Sequence, residues 1–326
     1  MSEHPMTFNE INLETARGRD TRPILVTGAG GQVGAVGRNV TGLLLEQGLP
    51  VRALVRREDE RATELLTLGA EVVVGDLLEP ADVYRAVRGT RRVYFGMSVS
   101  AGHLEATVIM ASVARELGVD ALVNMSQMTV SQMSIENSTP SPRQRQHWLG
   151  EQVLAWSGLP IVTIRPTMFM ESFMPLTSSS VRGRNRIELP FGQGKTSPVA
   201  AADVARVVAT VLAAPAPHIG RIYELTGPRS QDMHGVAHEF SEALGREVTY
   251  LDTPAENLEH ELEKLGMPEH LAKHVLAMAE LHRAGRYDRL ASGVEQVTGR
   301  RPMSVREFVS LHADKFGGRQ TYPPMP

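Results

Sequence analysis

Short runs of β-branched and apolar residues recur along the first half of the chain, at Ile24–Thr27, Val51–Val55, Glu71–Val74, Arg92–Phe95, Ala121–Met125 and Ile161–Arg165. Segments long enough for a helix separate them, as at Val40–Gln47, Ala81–Val87 and Leu104–Leu117. This β-α-β alternation constrains the fold more than any other feature, because parallel strands need a crossover long enough to hold a helix. Runs such as IVTI and VNM show little polar alternation, so both faces of the sheet must be covered. Gly48, Gly69, Gly118 and Gly158 stand where helices should end. The predicted class is α/β, a doubly wound parallel sheet with a smaller, mostly helical C-terminal cap domain.

The first strand runs directly into ILVTGAGGQVGAVG, residues 24–37. Gly28, Gly31 and Gly34 satisfy GxxGxxG, whereas Val33 occupies the position where GxGxxG needs glycine. Bare backbone there lets the chain turn, approach a pyrophosphate and pack a helix whose N-terminus faces the anion. A Rossmann dinucleotide site follows, with Gly28, Gly31, Gln32, Val33 and Gly34 as its phosphate loop. The second strand ends VRALVRRED, and Arg56 and Arg57 suit a ribose 2′-phosphate, so NADP(H) is preferred. NAD(H) is the alternative, through Glu58. In GDLLEP, Asp76 and Leu77 are placed to flank adenine, although Asp76 also suits a turn. FGMS and NMSQ close the fourth and fifth strands, so Gly96, Met97, Met125, Ser126 and Gln127 should line the path toward the nicotinamide.

Composition narrows the partners. The net charge of −3 balances 34 basic against 37 acidic residues, which gives no general attraction to nucleic acid or anionic membrane. No cysteine is present, so disulfides, iron–sulfur ligation and thiolate catalysis are excluded. The polar first 20 residues read as a loose tail without a secretory signal, and the expected location is cytoplasmic. GQGKTS imitates a P-loop, but Leu189 stands where its first glycine belongs. His234/His238 and His270/His274 have ligand spacing on a helix yet lack a third ligand, so no metal is expected. Arg143 and Arg145 make too short a basic patch for nucleic acid.

VTGAGGQVG, VRALVRR, GAEVVVGDLLEP, SGLPIVTIRPTMFMESF, SPVAAADVARVVATVL and TGRRPMSVREFV together resemble the NmrA-like family of atypical short-chain dehydrogenases, over residues 22–312. That family includes reductases of triphenylmethane dyes and of quinones as well as regulators. The resemblance makes one absence important. None of the six tyrosines has a lysine four positions later, so the YxxxK pair of the typical members is missing. Where many atypical relatives keep a lysine, RQHWLGEQ supplies His147, as the family's reductases do. The resemblance implies that His147 holds the nicotinamide ribose or donates a proton, helped by an ordinary pKa near neutrality.

Two readings follow. In the first, an NAD(P)H-dependent reductase passes hydride to a quinone-like or conjugated aromatic carbonyl substrate, whose delocalised product needs no strong enzymic acid. In the second, a non-catalytic sensor binds the dinucleotide and reports redox state. The methionines favour the first. Met97, Met125, Met128, Met133, Met168, Met170 and Met174 cluster near strand ends, and with Phe169 and Phe173 they suit a soft wall for a flat aromatic ligand. Met128, Phe169, Met170 and Phe173 are the expected substrate contacts, whereas Met125 reads as core. Residues 132–146 read as a flap over the site. The Rossmann domain is expected to span residues 21–170 and 199–227, the cap 171–198 and 228–318, with tails at 1–20 and 319–326. A small aromatic molecule is the expected partner, with a homodimer as a further candidate assembly.

Overall fold

The computed structural model describes residues 21–31, 35–137, 139 and 141–318, with Phe173 described in its backbone alone. The strands are β1 (Ile24–Val26), β2 (Val51–Val55), β3 (Glu71–Val74), β4 (Arg92–Phe95), β5 (Ala121–Met125), β6 (Ile161–Pro166), β7 (Arg186–Leu189), β8 (Ile222–Leu225) and β9 (Thr249–Asp252). The larger sheet has seven strands in the order β3-β2-β1-β4-β5-β6-β8, all parallel. Every residue of β4 is buried, as expected for a strand covered on both faces.

The covering helices are α1 (Val36–Glu46), α2 (Glu60–Thr67), α3 (Pro80–Val87), α4 (His103–Glu116), α5 (Pro142–Trp156) and α7 (Ala201–Ala213). Val40, Leu44, Leu65, Val204 and Val208 bring α1, α2 and α7 into one core, while Val83, Met110 and Leu154 bring α3, α4 and α5 into another. Burying an aliphatic side chain contributes about 2 kcal/mol, so these two layers hold the sheet. Helix starts follow local chemistry. Asp59 accepts the N–H groups of Arg61 and Ala62 at the head of α2, and Ser141 with Pro142 opens α5.

The smaller domain holds α6 (Phe173–Arg184), α8 (Met233–Leu244), α9 (Ala255–Lys264), α10 (Glu269–Arg283) and α12 (Val305–Leu311) around Ile187, Phe240, Phe308 and Phe316. It also contains a parallel pair, β7 with β9, that the sequence reading missed. RIEL and TYLD are four residues each, too short for a period to show. Helix α6 forms although Pro175 and its serines are poor helix formers, because Thr177 and Val181 are fully buried. Helix α11 (Gly293–Thr298) departs from the expected division, because Val294 packs into the sheet's core and Gly293 lies against the Glu224 carbonyl.

Candidate functional site

The strand order reverses between β1 and β4, and a crevice opens at the carboxyl ends of those two strands. Thr27 staples the point of reversal. Its hydroxyl donates to the Gly96 carbonyl (2.7 Å) and accepts the Gly96 N–H (2.9 Å). Gly28 turns with φ +67°, and a Cβ there would stand 2.7 Å from the Gly96 oxygen. Only glycine fits both the left-handed backbone and that approach. The Gly31 N–H closes the turn on the Gly28 carbonyl at 3.0 Å. Gly37 is the packing glycine, since a Cβ there would lie 2.8 Å from the Ala29 nitrogen. Gln32, Val33 and Gly34 lie outside the described residues. Ala35 at the head of α1 makes no side-chain cap hydrogen bond, in contrast to Asp59 on α2, an arrangement that suits an anion at the end of the helix facing the crevice.

A cavity of about 450 Å³ runs from this turn past the ends of β2, β3 and β4. Gly28, Gly31, Arg56, Asp76, Leu77, Gly96 and Met97 all line it, so the structure brings these sequence candidates together. Arg56 reaches Asp76 at 3.2 Å with its side chain 69% exposed, a weak pair that a phosphate can displace. Asp76 also makes the turn: its carboxylate accepts the Leu78 N–H at 3.0 Å. That hydrogen bond first, and Arg56 second, hold it below the ordinary carboxylate range. Arg57 lines the cavity and makes no ion pair among the described residues. Arg61, which the sequence reading overlooked, pairs with Asp59 and donates to the Gly30 carbonyl at 2.7 Å, tying α2 to the glycine turn. The cradle, the helix N-terminus and the arginines fit a dinucleotide.

The remaining candidates lie off this open cavity. Ser126 is buried at the end of β5 and donates to Glu151, whose carboxylate also takes the Arg165 guanidinium, with Nε at 3.0 Å. Gln127 is half-buried beside it. His147 projects from α5 toward α4. Gly150, with only 3.2 Å between its would-be Cβ and the Thr107 hydroxyl, lets these helices approach closely. The His147 ring meets His103 with centroids 3.8 Å apart, and His103 stacks toward Phe95 at 6.0 Å. Among the described residues, Nδ1 of both histidines is buried without a hydrogen-bond partner. Burial, then His103 and His274, hold His147 well below its ordinary value of 6.5. Burial alone brings His103 down to about 4. The expectation of a titrating histidine near neutrality is therefore corrected: His147 is a neutral imidazole at pH 7, able to donate or accept one hydrogen bond at each nitrogen according to its tautomer.

The expected methionine wall is also corrected in part. Met97 lines the cavity, but Met128 is 1% exposed and Met170, 2% exposed, belongs to the core of the smaller domain. Both pack as hydrophobes rather than facing an open pocket. Phe169 packs against the sheet's core and bridges Val199, and Phe173 opens α6, its side chain lying outside the described residues. The expected flap is anchored. Residues 142–146 are the first turn of α5, and Gln132 donates to the Arg286 carbonyl at 3.0 Å while accepting the Arg286 guanidinium. Gly194 of the P-loop imitation packs on the His282 carbonyl. His270, considered in the sequence only as a metal ligand, reaches the dinucleotide cavity from α10. Among the described residues no group of three or more potential ligands could hold a metal ion, and no helix is long and apolar enough to cross a membrane.

A seven-stranded parallel sheet with a glycine cradle and an arginine-lined groove at its switch point defines a dinucleotide-binding Rossmann protein. The comparisons place it further. A family described as NAD(P)H-binding matches residues 28–215. The NAD(P)H azoreductase of Xenophilus azovorans is 32% identical over 299 residues, which cover 90% of this chain and 99% of that protein. The chain belongs to this NAD(P)H-binding reductase family. The quinone oxidoreductase QOR2 of Escherichia coli, solved with NADPH, shares the fold at a TM-score of 0.77 and 22% identity, over 89% of this chain and 99% of that one. NmrA, a negative transcriptional regulator solved with NADP, superposes at a TM-score of 0.74 and 16% identity, over 89% and 94% of the two chains.

Proposed function

We propose that the protein is a reductase that takes hydride from NADPH, in preference to NADH, and delivers it to a quinone-like or conjugated aromatic carbonyl acceptor. A bound nicotinamide supplies the hydride; the chain supplies position and surroundings. The glycine turn and α1 hold the pyrophosphate, Arg56 and Arg57 hold the 2′-phosphate, and the Glu151–Arg165 pair fixes the Ser126 hydroxyl at the end of β5. His147 offers one nitrogen to the nicotinamide ribose or the acceptor oxygen.

The observation that carries this reading is the burial of His147 and His103 against each other. Burial disfavours the charged form of both rings, which argues against either as a strong acid at pH 7. An acceptor whose negative charge spreads over a conjugated ring tolerates that, and solvent then supplies the proton. A simple alcohol-forming reduction of an unconjugated ketone does not. Full-length similarity to an azoreductase favours turnover over the alternative, a non-catalytic sensor like NmrA.

The test follows absorbance of the reduced cofactor against a panel of quinones, aromatic ketones and azo dyes. His147→Ala should lower kcat by roughly 10- to 100-fold while cofactor affinity changes little. The parent's kcat should show no step near pH 6.5, the ordinary histidine value. Firm cofactor binding with no acceptor turned over would leave the sensor reading, whose own mark is redox-dependent capture of a partner.

A further inference from the structure

A second cavity, of about 320 Å³, lies where the start of α5 faces the start of α10. Ser141, Pro142 and Arg143 line it from the sheet domain, and Glu269, His270, Lys273 and His274 from the smaller one. His270 also lines the dinucleotide groove, so the two spaces share this side chain.

Its charges do not cancel. Lys273 is committed to Glu269 at 2.6 Å. Arg143 is half-buried and makes no ion pair among the described residues, which leaves one guanidinium uncompensated. The first turn of α5, a 15-residue helix, adds its dipole to the same wall. A neighbouring group registers the field: His274, with Nδ1 3.0 Å from the Ser141 hydroxyl, is held at about 4 by burial first and Arg143 second. His147 lies four residues after Arg143, one turn along α5, and its buried Nδ1 has no hydrogen-bond partner among the described residues.

We infer that this cavity is a subsite for an anionic substituent of the acceptor, a sulfonate, carboxylate or phosphate group, with Arg143 as the residue that selects it. The planar guanidinium presents paired donors to two oxygens of such a group, and the imidazole of His274, held neutral by burial, donates a further hydrogen bond without needing protonation. Lys273 stays on the rim with Glu269. The aromatic body of the acceptor then lies between this anchor and the nicotinamide. The inference rests on the reductase reading for the identity of the ligand.

Parent and Arg143→Gln holoenzymes are to be compared with naphthoquinone and naphthoquinone sulfonate. Separately, binding of naphthalene sulfonate to the oxidised-cofactor complex is measured by calorimetry, without turnover. The expected result is a roughly tenfold rise in KM for the sulfonate in Arg143→Gln, with kcat and the uncharged quinone unchanged and NADPH affinity intact. Arg143→Lys should recover part of the loss. Equal effects on both quinones, or no effect on either, would overturn the subsite, and so would a loss confined to NADPH affinity, which would assign the cavity to the cofactor. If no quinone is reduced but Arg143→Gln abolishes naphthalene sulfonate binding, the subsite stands and the reductase reading fails. Binding unaltered by the substitution overturns the subsite whatever the turnover.

Discussion

The two ends of the proposed dinucleotide cleft are built in opposite ways. At the end proposed for adenine, Arg56 and Arg57 are exposed and Asp59, Asp76 and the glycines of the turn are half-buried at strand ends, so their charges reach solvent. At the nicotinamide end, His103, His147, Ser126 and Glu151 are buried, and the rings of the two histidines face each other without charge. On the proposed function, the first end supplies affinity and cofactor choice through backbone geometry and exposed charges. The second is buried, with its two histidines uncharged and its one carboxylate, Glu151, paired to Arg165. Selectivity can thus be altered at the first without unfolding the protein, whereas changes at the second act on stability and rate together.

Breaking the cradle tests the first half of that contrast most severely. Gly28→Val places a branched side chain where a Cβ already meets the Gly96 oxygen at 2.7 Å, on a backbone with φ +67°. Cofactor binding should fall at least 100-fold in calorimetry. Gly89→Ala is the matched control, with φ +83° and nothing within 4 Å. It should cost about 1 kcal/mol of stability and leave affinity alone. Similar losses in both variants would attribute the Gly28 effect to strain rather than to the cradle.

Acid probes the buried end. His103, His274 and His282 are held at about 4, and His147 lies well below 6.5. As pH falls below 6.5 the unfolded chain takes up protons that the folded chain refuses, so stability declines toward pH 4. At about pH 5 each of the three histidines held at about 4 should cost about 2 kcal/mol. Glu171, raised to about 7 by burial, works in the opposite sense between 4.5 and 7 and offsets one of them. The urea midpoint should therefore drop from neutral pH to pH 5, and His103→Phe, between the rings of Phe95 and His147, should reduce the drop. A midpoint independent of pH would show that the cluster is hydrated.

The smallest effect sharpens cofactor choice. Arg56→Ala should weaken NADPH about tenfold more than NADH, because the pair with Asp76 is exposed and Arg57 remains to share the phosphate. Equal losses with both cofactors would show that Arg56 answers only to Asp76.

How much of this was legible follows the same division. The adenine end is built from contiguous motifs: ILVTGAGG turns on its own glycines, VRALVRR ends in its own arginines, and GDLLEP closes its own turn through Asp76 and Leu78. Nothing in the sequence pairs His103 with His147, 44 positions away, or joins Ser126 to Glu151 and Arg165. Met128 and Met170 misled for a related reason. Both follow strand ends, where a ligand wall is plausible, and burial by distant elements turned them into core.

By itself, then, the sequence determined what local periodicity and backbone freedom can encode: the parallel strands, their helices, the glycine cradle and the arginines at the end of β2. Tertiary structure alone decided that His103 and His147 would be neutral, that α11 would return to the sheet, and that His270 of α10 would line both cavities. The physical reason is that dielectric environment and desolvation are sums over every neighbour in space. A histidine in the chain has an ordinary pKa; only its packing determines whether it can hold a proton.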